Sequence, residues 1–312
     1  DVYKRQSDYY KHLVIGGANK CGTTSLFRYL ADHPRICGSK VKEADFFNQS
    51  EISLATYQDY LDIFPATRGP NMYLLEGTPS YLDGGQATAA EVKRLIPEAQ
   101  LIFVLRNPAD RLVSFYRSKI GLTTSISHGM SLDQFADLAL NIATGKVQPD
   151  CRQQRNIGWQ VSKAAYASFL QDYLRFFDAS QINVVLFDDF RDNPKSVVSD
   201  ICRSLDLDDA YLDNYDFTIE NKSRAHRNET IRTLGSKLNR NLEPLLNRIP
   251  AVRRFARATY NRLNTTDSDG VSLSPTNQDR LSDYFAPHND ALRILLEAEF
   301  GFAQFPGWLY SQ

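Results

Sequence analysis

The chain has almost no net charge, and this absence limits the partners that it can have. Its 312 residues carry 36 lysines and arginines against 37 aspartates and glutamates, which gives a formal net charge of −1 at pH 7. Proteins that bind nucleic acid along a surface are usually strongly basic. We therefore expect no nucleic-acid partner, whereas a local basic pocket for a small anion is compatible with this composition.

Cysteine is scarce, and the few cysteines form no pattern of known function. No Cys-x-x-Cys pair occurs, so the usual spacing of zinc ligands is absent. So few cysteines in a chain of this length also do not suggest a disulfide-stabilised secreted domain. We therefore expect a reducing, cytoplasmic compartment for the four that are present, Cys21, Cys37, Cys151 and Cys202.

Long apolar runs are absent as well. Because no stretch of about 18 consecutive apolar residues occurs, no membrane span is predicted in this chain. Residues 1–8 are polar and without periodicity, and they are predicted to be disordered or the edge of a truncation. A membrane anchor upstream of them stays open.

The sequence does contain an alternation of strand and helix patterns. Hydrophobic residues make up 42% of the chain, which is enough for one large core, and residues 9–312 are predicted to form a single domain. Short apolar runs are typical of strands in a parallel sheet covered on both faces, and they occupy 12–18, 73–78, 101–106 and 182–187. Helical periodicity covers 24–32, 108–120, 164–177, 194–205 and 277–300. This alternation predicts an α/β fold with a central, mostly parallel sheet flanked by helices.

Polar stretches dominate the chain after the last predicted strand and its helix. Residues 206–230 are predicted to form a long loop, and residues 265–275 resemble a linker. The segment 232–257 between them is basic and is predicted to be helical. It is interpreted either as a solvated helix face or as a binding surface.

The first predicted strand runs directly into a glycine-rich turn, GGANKCGTTS over residues 16–25, and a helix follows. This arrangement directs backbone N–H groups and the positive end of a helix dipole toward an anion. Lys20 adds a positive charge, and the hydroxyls of Thr23, Thr24 and Ser25 add hydrogen-bond donors. The stretch therefore predicts a phosphate-binding loop, and the alternative is an ordinary glycine turn between strand and helix.

This loop differs from the phosphate loop of nucleoside triphosphatases. Gly17 and Gly22 have the spacing of the GxxxxGK[ST] pattern, but Thr23 stands where that pattern requires a lysine. Lys20 lies two residues before the second glycine instead, which favours a different anion, held without an obligatory metal. A P-loop kinase or nucleoside triphosphatase is the alternative function, and a non-catalytic binding protein on the same fold is a further one.

A second candidate phosphate contact follows another predicted strand. Arg106 ends the run 101–106, at the carboxyl end where α/β sheets bind ligands. Its planar guanidinium suits bidentate hydrogen bonds to a phosphate. Ser114 lies eight residues further on, within the next predicted helix. If the chain folds back after the strand, both residues face one phosphate, and the alternative for Arg106 is a surface salt bridge.

These two motifs, in this order, resemble those of the sulfotransferases that use 3′-phosphoadenosine 5′-phosphosulfate (PAPS). KCGTTSL over 20–26 resembles that family's 5′-phosphosulfate loop, and RNPADRLVS over 106–114 resembles its 3′-phosphate motif. The likeness is most evident to heparan sulfate-type and bacterial members, because KEADFF over 42–47 resembles their catalytic-glutamate segment and NKSRAH over 221–226 resembles their nucleotide-closing loop. It extends over roughly residues 12–230 and the last thirty or so residues.

The resemblance implies a fold, a reaction and site residues. The fold would be the P-loop-containing nucleotide-binding fold, and the reaction would move a sulfuryl group from PAPS to an acceptor hydroxyl or amine. The product would be 3′-phosphoadenosine 5′-phosphate (PAP), and no metal would be required. Glu43 would be the general base, and Lys20 would contact the sulfate and its bridging oxygen. The remaining residues would bind the nucleotide: Cys21, Gly22, Thr23, Thr24 and Ser25 at the 5′-phosphate, Arg106 and Ser114 at the 3′-phosphate, and Lys222, Ser223 and Arg224 in a lid.

Two carboxylates near this predicted site leave alternatives open. Glu43 is either the base or a solvent-exposed residue of a lysine-rich loop, and Glu76 either caps the Thr78-Pro79 turn or assists catalysis. Gly77 and Asp45 stand where heparan-acting members have lysine and often histidine. A carbohydrate or another small or oligomeric acceptor is expected from the resemblance alone, and neither its identity nor the oligomeric state follows from the sequence.

Overall fold

The computed structural model describes most of the chain, namely residues 10–49, 52–66, 72–119, 130–218, 224–226, 265–267 and 272–310. The chain divides into two compact units. The first unit comprises Asp1–Arg111, Val161–Glu220 and Arg280–Gln312, and the second comprises Leu112–Gln160 and Asn221–Asp279. The single domain expected over 9–312 stays a prediction.

A five-stranded parallel sheet lies at the centre of the first unit. Its strands are β1 (Lys11–Gly17), β2 (Ile36–Gly38), β3 (Tyr73–Gly77), β4 (Gln100–Leu105) and β5 (Ile182–Leu186). They lie side by side in the order β2-β3-β1-β4-β5, and each neighbouring pair is parallel. Because parallel strands end at the same edge, the residues that follow β1, β3 and β4 share the edge at which α/β sheets bind ligands.

Helices connect the strands and complete both units. In chain order they are α1 (Thr23–Ala31), α2 (Tyr57–Leu61), α3 (Gly85–Leu95), α4 (Pro108–Lys119), α5 (Leu132–Ala143), α6 (Arg152–Ser162), α7 (Tyr166–Leu174), α8 (Phe187–Asp192), α9 (Pro194–Ser204) and α10 (Pro275–Phe300). No helix among the described residues is both long and apolar enough to span a membrane.

Each face of the sheet is covered by a different set of side chains. On one face, the ring of Phe27 on α1 packs closely against Gly77 of β3. A Cβ atom on Gly77 would lie only 2.7 Å from this ring. On the opposite face, the rings of Phe103 on β4 and Tyr173 on α7 have centroids 4.8 Å apart. Successive residues of a strand point to opposite faces, so Glu76 faces away from α1. The sheet is therefore buried on both sides, which explains the continuous apolar runs of its strands.

The second unit is built around α5. A capping box formed by Ser131 and Gln134 begins this helix, and the carboxylate of Asp133 accepts hydrogen bonds from Ser274 and Asn277. The rings of Phe115 and Phe135 stack with centroids 6.2 Å apart. Two short antiparallel strands, β6 (Arg224–His226) and β7 (Thr265–Asp267), pair within the same unit.

The structure confirms the α/β class and the four predicted strands, with ends that differ by about one residue. It adds β2 and the helices α2, α3, α5, α6 and α8, none of which was predicted from the sequence. The predicted loop 206–230 contains β6, and the linker-like stretch 265–275 contains β7. The basic segment 232–257 lies outside the described residues.

Candidate active site

The predicted phosphate loop connects the carboxyl end of β1 to the amino end of α1. The N–H of Ala18 donates to the carbonyl of Val104 at 2.8 Å, which ties the loop to β4. Gly22 precedes α1 with a φ of 80°, and among the described residues no side chain caps this end of the helix. The uncapped amino end of a helix presents N–H groups and positive potential, so this end is suited to an anion.

Gly22 is required at its position by both conformation and space. Its φ of +80° belongs to the left-handed region, and a Cβ atom there would lie 3.1 Å from the ring of Phe187 and 3.2 Å from that of Phe190. A side chain would therefore be strained and would push against the aromatic rings of α8. The close approach keeps the turn compact beside the sheet.

The side chains of the loop differ in their access to a ligand. Lys20 and Thr24 are half-buried, whereas Thr23 and Ser25 are buried. The thiol of Cys21 is completely buried, and this burial raises its pKa to about 11. The thiol is therefore neutral near pH 7 and points into the interior, so its expected part in nucleotide binding stays a prediction.

Arg106 lies beside the phosphate loop. It follows β4, and its Nη1 donates to the carbonyl oxygen of Lys20 at 3.4 Å. Its guanidinium lies 4.5 Å from the ring centroid of Phe187, and the hydroxyl of Tyr166 donates to its carbonyl oxygen at 3.0 Å. The buried Nε has no hydrogen-bond partner among the described residues. A positive group with an unused donor is thus positioned at the loop.

The other predicted nucleotide contacts are only partly described. Ser114 lies in α4 and is half-buried, and its pairing with Arg106 stays a prediction. Lys222 and Ser223 of the expected lid lie outside the described residues, and Arg224 begins β6. The lid itself therefore stays a prediction.

Glu43 lies in a segment that follows the edge of the same sheet. We use the name Glu43 segment for residues 42–48. The N–H of Glu43 donates to the carbonyl of Gly77 at the end of β3 at 2.9 Å, and β3 is the neighbour of β1. Its side chain is 54% exposed and forms an ion pair with Lys42 at 2.7 Å. The carboxylate is therefore accessible at the edge where β1 and β4 also end.

Glu76 is completely buried one residue before the end of β3. Burial raises its pKa to about 8, against the weaker opposing effect of hydrogen bonds from Thr78 and Tyr81. Those hydroxyls donate to its Oε1 at 2.5 and 3.2 Å. The contact with Thr78 agrees with the interpretation of Glu76 as a cap of the turn, while the contact with Tyr81 was not foreseen.

Two aromatic residues of the site were missed as well. Tyr166 lies within the predicted helix 164–177 and is 1% exposed, but its hydroxyl also fixes the backbone of Arg106. Phe187 was interpreted only as the end of a strand, yet its ring lies under the guanidinium. Neither contact has a signal in residue spacing, because both join segments that are distant in sequence. Among the described residues no cluster of three or more His, Cys, Asp and Glu side chains is arranged to hold a metal ion.

Comparison with known proteins assigns this arrangement to a family. A sequence model of the family described as "Sulfotransferase domain" matches residues 10–241 of the 312. This match covers well over half of the chain and includes the phosphate loop, the Glu43 segment and Arg106. The chain therefore belongs to the sulfotransferase family, and it is an enzyme of that class.

The similar curated proteins are much longer than this chain. Bifunctional heparan sulfate N-deacetylase/N-sulfotransferase 4 of Mus musculus is 26% identical over 228 residues, which are 68% of this chain and 24% of that protein. Bifunctional heparan sulfate N-deacetylase/N-sulfotransferase 3 of Homo sapiens is 27% identical over 210 residues, 62% of this chain and 22% of that protein. The chain thus spans about a quarter or less of the length of these relatives.

A solved structure shares the fold over nearly the whole chain. The sulfotransferase from Alicyclobacillus acidocaldarius superposes with a TM-score of 0.63 at 21% identity, covering 96% of this chain and 98% of that one. This likeness supports the P-loop-containing α/β fold.

Proposed function

We propose that the chain transfers the sulfuryl group of PAPS to a hydroxyl or amine of a carbohydrate acceptor, with Glu43 as the general base. The observation that carries the proposal is the position of Arg106, whose guanidinium contacts the backbone of the phosphate loop at Lys20. Lys20 and Arg106 thus lie together at one end of the sheet. PAPS carries two phosphate groups on one nucleoside, and such a donor needs two anion contacts close together.

The described residues fit the donor. The uncapped amino end of α1 and the left-handed Gly22 form a cradle that a side chain would fill. The unused Nε of Arg106 offers a further charged donor. In the proposal, Lys20 and the loop from Cys21 to Ser25 hold the 5′-phosphosulfate, Arg106 and Ser114 hold the 3′-phosphate, and residues 222–224 close over the nucleotide.

The proposed chemistry divides between two side chains. The bound donor supplies an electrophilic sulfuryl group on a phosphate leaving group. Lys20 stabilises the negative charge that develops on that leaving group. A carboxylate oxygen of Glu43 accepts the proton of the attacking acceptor, which is a contribution typically of about 10²–10⁴ in rate.

The names of the relatives support a carbohydrate acceptor. Those named above act, by their names, on heparan sulfate, which makes an oligosaccharide or polysaccharide the first acceptor to test. Gly77 and Asp45 differ from the residues expected in heparan-acting enzymes, so the screen includes other sulfatable glycans. Both hydroxyl and amine positions belong in it.

Transfer from labelled PAPS to a panel of glycans tests the proposal. Wild-type protein is expected to label at least one glycan, and Lys20→Ala is expected to lower turnover at least about 100-fold. Lys11→Ala is the matched control, because Lys11 is the first residue of β1 and lies at the end of that strand opposite to the phosphate loop. Equal activity of the Lys20→Ala and Lys11→Ala variants would overturn the assignment of the loop.

The base is tested separately. Glu43→Gln is expected to lower kcat by about 10²–10⁴ while PAP still binds. Glu91→Gln is the control, since Glu91 also forms a 2.7 Å ion pair, with Arg94 on α3. Unchanged turnover of Glu43→Gln with intact PAP binding would remove Glu43 from this role.

A further inference from the structure

The backbone of the Glu43 segment adopts a conformation that other residues must maintain. Glu43 has a φ of 62° and Asp45 a φ of 50°. Both values lie in the left-handed region, which costs a non-glycine residue free energy and persists only where the surroundings enforce it. Contacts outside the segment must therefore supply the restraint.

Two hydroxyls supply part of this restraint through backbone hydrogen bonds. The N–H of Asp45 donates to Oγ1 of Thr78 at 3.2 Å, and the N–H of Phe47 donates to the hydroxyl oxygen of Tyr81 at 3.2 Å. Both hydroxyls lie beyond β3, in the turn that follows it. The Glu43 segment is thus held at two positions, two and four residues after Glu43.

Both hydroxyls depend on the same carboxyl group. Each accepts an N–H of the segment and donates its own proton to Oε1 of Glu76. A hydroxyl that donates its proton to Oε1 has its oxygen lone pairs oriented toward the backbone N–H. Hydrogen bonds linked in such a chain strengthen each other. One buried oxygen therefore orients both contacts.

We propose that Glu76 is a positioning residue that holds Glu43 in its working orientation through Thr78 and Tyr81. The inference rests on the proposed role of Glu43 as the base. Glu76 itself is completely buried, so it acts through the Glu43 segment and not on the acceptor.

Single variants of the two hydroxyls test the route. Tyr81→Phe and Thr78→Val each remove one relay and are expected to lower kcat about fivefold to tenfold, with the Kd for PAP unchanged. Tyr60→Phe is the matched control, because its hydroxyl is equally buried but has no hydrogen-bond partner among the described residues. If Tyr81→Phe and Tyr60→Phe have the same kcat, the proposed route is wrong.

Variants of Glu76 test the role of its carboxyl group in positioning Glu43. Glu76→Gln keeps a carbonyl oxygen that accepts both hydroxyls, so its kcat is expected to stay within about threefold of wild type. Glu76→Leu removes the acceptor and is expected to lower kcat about 10- to 100-fold, since small displacements of a catalytic group have effects of this size. Equal loss in the two variants would contradict a positioning role.

A double-mutant cycle separates this inference from the proposed function. If Glu76 acts only through Glu43, adding Glu76→Leu to Glu43→Gln changes kcat by less than about twofold. If Glu76→Leu lowers kcat in the Glu43→Gln background by the same factor as in wild type, the inference is refuted and Glu43 remains the base. A fully active Glu43→Gln variant would instead refute the base assignment, and the inference with it. Should Glu76→Leu fail to fold, the same cycle with Tyr81→Phe gives the answer.

Discussion

The buried carboxyl of Glu76 predicts an unusual dependence of stability on pH. Its pKa is about 8 in the folded chain, because of burial, and 4.5 is its ordinary value. At a pH between these two pKa values, the Glu76 carboxyl keeps its proton in the folded state and releases it in the unfolded state. The free energy of unfolding therefore falls as pH rises through this window.

The size of the effect follows from the pKa shift. Each pH unit within the window is worth about 1.4 kcal/mol, so the loss between about pH 5 and about pH 7.5 is on the order of 3 kcal/mol. His12 contributes with the opposite sign, because burial lowers its pKa from 6.5 to about 3. The unfolded state binds a proton at His12 when pH falls below 6.5, and stability then falls with pH.

The comparison with Glu76→Gln isolates the carboxyl. Urea unfolding of wild type and variant is measured at intervals across that range, and the difference in unfolding free energy is plotted against pH. Wild type is expected to lose about 3 kcal/mol relative to the variant, because glutamine has no proton to release and the His12 contribution cancels. A difference that is constant within about 0.5 kcal/mol would refute the reasoning.

Two other predictions concern the phosphate loop. Gly22→Ala is expected to reduce the free energy of unfolding by about 1–2 kcal/mol more than Gly145→Ala. Gly145 has a similar φ of 74°, but in the described part of the chain a Cβ atom there would meet no atom of the surrounding structure within 4 Å. Equal losses in urea unfolding would contradict this. A thiol reagent at about pH 7.5 is expected to label exposed Cys151 and to leave buried Cys21 unmodified until the chain is denatured. Mass spectrometry of the native protein checks this, and rapid modification of Cys21 would show that the loop opens.

The parts of the fold that could be predicted from sequence are those with strong local patterns. β1 and β4 are continuous apolar runs, and α4 begins with Pro108, so their positions follow from the residues themselves. β2 was missed because it has only three residues, too few for any periodicity. The helix α3 was missed because it begins at Gly85 after a second glycine, and glycine pairs indicate turns.

The site divides in the same way. Lys20 and Arg106 follow strands, and strand ends can be located from sequence, so their positions at one end of the sheet could be predicted, whereas the hydrogen bond from Arg106 to the backbone of Lys20 could not. The link from Glu76 through Tyr81 to Phe47 joins three segments, and only the folded chain brings them together. The raised pKa of Glu76 was equally out of reach, because it depends on burial and not on neighbours in sequence.

Binding of PAP in the absence of magnesium tests the central claim most directly. Calorimetry is expected to show that wild type binds PAP more tightly than adenosine 5′-monophosphate or ATP with magnesium. Arg106→Ala is expected to weaken PAP binding about 10- to 100-fold and to leave adenosine 5′-monophosphate unchanged. Arg175→Ala, which alters an arginine with a 62% exposed side chain at the end of α7, should bind PAP like wild type. Equal affinity for PAP and adenosine 5′-monophosphate in wild type would contradict the account.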